Sequence, residues 1–132
     1  MLQKKKLIPI FRRYNVRNAY LFGSTASGNN IPESDVDIAV MLPEKYTVKK
    51  RFDIRLKLTT DLNRYCGGKA DVVVLNDTKS LFFQYVIIKE GILLYEKSEE
   101  ERVDYEMKTM NRYFDFQPFL ELYNRQYVKN SI

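Results

Sequence analysis

The stretch L21-F-G-S-T-A-S-G-N-N-I-P-E-S-D-V-D-I-A-V40 breaks an apolar run with Gly23-Ser24, turns for ten residues, and resumes with Asp35 and Asp37 one residue apart. NAYLF before it is apolar on both faces, the pattern of a buried strand that stops at Gly23. The segment between is turn chemistry, with Gly28, Asn29-Asn30, Pro32 and Ser34, and DVDIAVML then reads as a second strand closed by Pro43. Side chains alternate along a strand, so Asp35, Asp37, Ala39 and Met41 share one face and Val36, Ile38 and Val40 the other. The two aspartates are then neighbours, their Cα atoms about 6.6 Å apart at the usual strand rise. Two ionised carboxylates that close repel one another unless a cation sits between them.

Working outward, Leu7, Ile10, Phe11 and Tyr14 fall on one face of a short helix, with Pro9 tolerable near its first turn and Asn15 ending it. Val48, Phe52, Leu56, Leu58, Leu62 and Tyr65 recur at helical spacing from about Thr47 to Tyr65, until Gly67-Gly68 supplies a left-handed stop. ADVVVL is a third strand, NDT offers capping side chains, a helix runs from about Lys79 to Glu90 and ends at Gly91, and ILLYE is a fourth strand. Ser98 and Glu101 match a capping box that opens a helix with the apolar stripe Val103, Met107, Met110 and Phe114. Pro118 is expected to end or kink it, with a short last helix carrying Phe119, Leu122 and Tyr123. The order predicts an α/β fold: a small mixed β-sheet flanked by helices, with a C-terminal helical extension. Residues 1–97 form the main domain and 98–132 an extension packed upon it.

Composition narrows the chemistry. The 132 residues carry no histidine and a single cysteine, Cys66, which removes Ser-His-Asp and Cys-His schemes, the usual zinc sites and any intrachain disulfide. Acid-base or metal chemistry must rest on carboxylates, Tyr or Lys. Cys66 itself reads as a half-buried residue at a helix end. The net charge of +5 is divided into +7 over residues 1–97 and −2 over 98–132, a basic body suited to a polyanion such as a nucleoside triphosphate or nucleic acid. Apolar runs are too short to span a bilayer, and charge resumes at Arg12 before a signal-peptide core could form, so a cytoplasmic location is expected.

If ADVVVL pairs in register beside DVDIAV, Asp71 faces the same site as Asp35 and Asp37. Three carboxylates could hold two Mg²⁺ ions, with substrate phosphates and water completing the shell. Asp71 is also the available base for an attacking hydroxyl. Gly23 lets the backbone approach a phosphate, and the Ser24 hydroxyl and the amides after it can donate to phosphate oxygens. The loop matches neither GxxxxGK[ST] nor GxGxxG, so ATPase-type and dinucleotide-binding readings lose their main support.

Gly23-Ser24, ten residues, then Asp35-Val36-Asp37 resembles the GSX10DXD signature of the DNA polymerase beta-like nucleotidyltransferase superfamily. LFGSTASG…SDVDIAVML, the strand aspartate in ADVVVL, VIIKEGILLYE and the tail RYFDFQPFLELYNRQY are similar to its minimal nucleotidyltransferase (MNT) antitoxins. The resemblance implies the polymerase beta-like fold and Mg²⁺-dependent transfer of AMP from ATP. It implies metal binding by Asp35, Asp37 and Asp71, and triphosphate binding by Gly23 and Ser24. It further implies a HEPN-domain RNase toxin as partner, silenced by AMP added to a tyrosine in a type VII toxin-antitoxin system, with the two proteins forming a hetero-oligomer that needs no nucleic acid. Ser27 stands where many members carry arginine, which implies a weaker hold on the triphosphate.

The tail holds Tyr105, Tyr113, Phe114, Phe116, Phe119, Tyr123 and Tyr127, and part of this aromatic face is expected to meet the partner, with Phe114 and Phe119 packing inward. Two other functions fit the same motifs. One is an antitoxin that inhibits by binding alone, and the other a nucleotidyltransferase acting on a small molecule or RNA.

Overall fold

The computed structural model describes residues 2–23, 26 and 35–130, with side chains to residue 118 and at 122 and 125. Ser24, Ser27 and the turn residues from Gly28 to Ser34 therefore lie outside the described residues, as do the side chains of Phe119, Tyr123 and Tyr127. The elements run α1 (Lys4–Arg13), β1 (Asn18–Phe22), β2 (Val36–Met41), α2 (Val48–Asn63), β3 (Ala70–Val74), a 3₁₀ turn (Leu75–Asp77), α3 (Leu81–Glu90), β4 (Ile92–Glu96) and α4 (Glu99–Asn130). The four strands form one mixed sheet in the order β3-β2-β1-β4. β1 is antiparallel to both β2 and β4, and β2 is parallel to β3 across the α2 crossover.

Alternation along the strands divides the core in two. Ala19, Leu21, Ile38, Val40, Val72 and Val74 meet Leu7 and Phe11 of α1 and Ile54, Leu58 and Leu62 of α2. The opposite face carries Tyr20 and Ala39 against Leu75 and Ile87, with Phe83 and Tyr105 packed at the margin. α1 ends where Asn15 takes φ +57°, and Gly67 and Gly68 hold the left-handed conformation expected after α2. Cys66 is buried, and burial pushes its thiol up, which makes it a poor nucleophile.

The fold departs from the sequence expectations in several places. Of the apolar positions expected on α2, Leu58 and Leu62 are buried against the sheet together with Ile54, whereas Val48, Phe52 and Leu56 are exposed. At about 100° per residue the two apolar sets occupy different faces of the helix, so they never formed a single stripe. Val103, Met107 and Phe114 likewise face outward, while the buried side of α4 carries Thr109, and Tyr105 packs at the core margin. Phe114 is 47% exposed, although its ring lies edge-on to Tyr85. Pro9 sits in the middle of α1, and α4 continues through Pro118. At Pro9 the missing hydrogen bond is offset by full burial of Leu7 and Phe11 on the same helix, each contributing roughly 1.5–3 kcal/mol.

The side chains of the NDT segment serve other purposes than capping. Asn76 bridges the backbone of Leu42 through both amide atoms, Asp77 receives Arg51, and Ser80 caps α3. Ser98 accepts from the Glu101 amide as a capping box requires, but the Glu101 carboxylate turns to Arg17. That ion pair, Tyr20 donating to Glu106, and Tyr105 donating to Gln84 tie α4 to the sheet and to α3.

Two substitutions on α2 separate its faces. Leu58→Ala removes a fully buried side chain and is expected to cost about 2–5 kcal/mol in urea unfolding. Phe52→Ala, at a side chain 57% exposed, is expected to stay within about 0.5 kcal/mol.

Candidate active site

β2 and β3 pair in parallel with Asp37 directly beside Asp71, so the two side chains share a face of the sheet. This is the register the sequence reading requires. Asp35 stands one residue before β2, at the same sheet end. On the other side of β2, Phe22 of β1 lies directly opposite Asp37. Three adjacent strands therefore bring Asp71, Asp37 and Phe22 into a row, with Gly23 immediately after.

Gly23 is held at φ +75°, and a Cβ there would overlap the Asp37 carboxylate oxygen Oδ2. Only glycine gives the chain both this left-handed turn and this close an approach. Ser24, the second half of the expected phosphate cradle, is outside the described residues.

The Asp37 carboxyl is pushed above the usual carboxylate range, first by burial, then by the charges of Asp71 and Asp35 and a hydrogen bond shared with Asp71. Gathering like charges raises the energy of the ionised site, and a hard cation relieves it. The donor set is oxygen alone, which fits Mg²⁺ and excludes the soft metals. Among the described residues no group of three or more Asp, Glu or Cys side chains is arranged to hold a metal ion by itself.

Sequence reading missed Phe22 and Phe83. Their rings meet edge to face with centroids 5.5 Å apart, and they line a recess of about 330 Å³ that opens beside Gly23. The antiparallel pairing of β1 with β2 contained the signal for Phe22. Counting back across the loop puts it opposite Asp37, whereas nothing local in LFFQYV marks Phe83. A larger cleft of about 830 Å³ lies at the far end of β2, around Met41, Arg17, Lys45 and Arg51. Met41 is four residues from Asp37, about 13 Å along the strand, so this cleft is separate from the carboxylates.

The raised Asp37 carboxyl sets a pH dependence. Below the ordinary carboxylate value it is protonated in folded and unfolded chains alike and has no effect on stability. As pH rises through its higher folded value the folded state loses stability. Asp37→Asn is therefore expected to raise the urea midpoint of the metal-free protein at pH 7 but not at pH 3. Equal midpoints at pH 7 would contradict the electrostatic account.

A Methanocaldococcus jannaschii protein named "Putative protein adenylyltransferase MJ0435" is 33% identical over 78 residues, which span 59% of this chain and 80% of the relative. Among solved structures, a chain of a toxin-antitoxin complex with AMP-PNP superposes with a TM-score of 0.75 at 23% identity, covering 96% of this chain and 99% of the other. A chain from the complex of tri-AMPylated Shewanella oneidensis HEPN toxin with MNT antitoxin has a TM-score of 0.68 at 21% identity, covering 95% of each chain. The fold is thus shared with these two solved structures over nearly the whole length. The family described as "Polymerase beta, Nucleotidyltransferase" matches residues 5–100, which include every carboxylate of the site, and the chain belongs to that family of nucleotidyltransferases.

Proposed function

We propose that this protein is a Mg²⁺-dependent protein adenylyltransferase that moves AMP from ATP onto a tyrosine hydroxyl of a HEPN-domain RNase toxin, and so acts as the antitoxin of a type VII toxin-antitoxin pair. The observation that carries the reading is the in-register placement of Asp37 beside Asp71, next to a glycine whose backbone abuts the Asp37 carboxylate. The likeness to chains of toxin-antitoxin complexes, one holding AMP-PNP and one an AMPylated HEPN toxin, supports the nucleotide and the acceptor class.

In this reading Asp35, Asp37 and Asp71 hold the metal, and Gly23 and Ser24 receive the triphosphate. Bound Mg²⁺ supplies charge neutralisation for the phosphates and for both the attacking and the leaving oxygen. Asp71, on the β3 side, takes the proton of the acceptor hydroxyl. The hydroxyl oxygen bonds to the α-phosphorus of ATP, the bond from that phosphorus to the bridging oxygen of the β-phosphate breaks, and pyrophosphate leaves. Residues 1–97 are the catalytic unit, with 98–132 as its extension.

A protein acceptor suits the surface. Val103, Met107 and Phe114 form an outward apolar stripe on α4, and Phe82 and Phe116 are exposed as well. A protein partner is the natural cover for this stripe. Glu99, Glu100 and Asp115 lie on the same helix, with Asp104 paired to Lys108, so its partner should carry a basic rim.

α-Labelled ATP with Mg²⁺ is expected to label a HEPN-domain toxin co-expressed with this chain. Asp37→Asn should abolish labelling, and Asp71→Asn should slow it by about 10²–10⁴-fold. Undiminished labelling by Asp37→Asn sinks the assignment. Full neutralisation of the toxin by that variant would favour inhibition by binding alone. Met107→Glu, at a side chain 59% exposed, is expected to leave the urea midpoint unchanged and to weaken toxin capture at least tenfold.

A further inference from the structure

The recess beside Gly23 has a composition that the phosphate and metal chemistry does not use. Phe22, Phe83, Val86 and Ile87 line it together with Gly23 and Glu90. Phe22 and Phe83 meet at an interplanar angle of 85°, so one ring presents its face toward the edge of the other and the pair forms a corner. Phe22 and Phe83 are only partly buried, although both pack on the Tyr20–Ala39–Leu75–Ile87 cluster. Glu90 has no ion-pair partner among the described residues.

We propose that this recess seats the nucleobase of the donor nucleotide, with Phe83 and Phe22 as its aromatic walls and Glu90 accepting from an N–H on the base edge. The inference rests on the nucleotidyltransferase reading of the adjacent carboxylates and adds to it the site for the part of the nucleotide that does not react. Position is the first argument. Across the sheet the row runs Asp71, Asp37, Phe22, and then the end of α3 at Glu90, which leads into β4. An acceptor hydroxyl delivered to Asp71 occupies the β3 side, which leaves the β1 and β4 side to the nucleotide. Chemistry is the second. Phosphates do not suit a pocket of two phenylalanines, a valine and an isoleucine, whereas a flat base does. At about 330 Å³ the recess falls within the range of small-molecule pockets, and it adjoins the glycine proposed to receive the phosphates of the same molecule.

Calorimetric titration of the full chain with Mg²⁺ and α,β-methylene-ATP, beside inorganic tripolyphosphate, tests the assignment. Phe83→Ala removes one wall and is expected to weaken the ATP analogue by about tenfold or more while tripolyphosphate binds as to the wild type. Val86→Phe fills the recess without removing a core side chain and is expected to do the same, which protects the test from a Phe83→Ala protein that folds poorly. The inference is overturned if both variants bind the analogue like wild type, or if tripolyphosphate is lost in parallel with it. It is also overturned if the analogue binds normally and only the KM of the acceptor protein rises, because the recess would then belong to the acceptor. Failure of the wild type to bind either ligand with Mg²⁺ would instead overturn the nucleotidyltransferase reading beneath it.

Discussion

The structure turns on a conflict of charge at one end of a four-stranded sheet. Asp37 and Asp71 are neighbours across a parallel strand pair, Asp35 adds a third charge from just outside β2, and Gly23 closes over Asp37 from the next strand. In water such carboxylates would move apart. Here the strands hold them, and burial together with mutual repulsion keeps Asp37 harder to ionise than an ordinary aspartate. The energy that makes the arrangement unfavourable in the metal-free chain is the energy that makes a divalent ion welcome there.

Holding the charges requires a rigid support, and the two-sided core supplies it. Ile38 and Val40 are fully buried against α1 and α2, and Ala39, between them, is fully buried on the opposite face. A slip of one residue in β2 would move Ile38 and Val40 into the polar site and Asp37 into the core, so the hydrophobic pattern fixes the register that places the carboxylates. α3 and α4 cover the second face, secured by Tyr20 to Glu106 and by Arg17 to Glu101. Burial and the bond to Glu106 push the Tyr20 hydroxyl well above its ordinary value, so it stays a neutral donor through the physiological range.

Much of the site was legible because its signals are local. Gly23, the ten-residue interval and the Asp35–Asp37 spacing are read along the chain, and strand alternation gives the shared face of Asp37 and Ala39 without any knowledge of packing. Asp71 needed one further assumption, parallel pairing in register, which the structure contains. The helices were less legible. In α2 and α4 apolar residues occur on two faces, and periodicity marks each face without saying which one meets the sheet. Phe114 was read as inward and faces outward, and Val48, Phe52 and Met107, placed on apolar stripes, are exposed as well. Phe83 escaped because α3 is apolar around most of its circumference, so no position in it stands out.

The sequence by itself determined the chemical elements of this protein: strands of fixed alternation, a turn that only glycine can make, and carboxylates where histidine and thiolate chemistry are absent. Those follow from covalent geometry and side-chain type, which act over a few residues. Tertiary structure alone decided which apolar stripe became core and which became surface, and that an aromatic corner from β1 and α3 stands beside the carboxylates. These depend on contacts between segments far apart in the chain, where the stripe that is buried is the one whose shape fits the sheet it packs on.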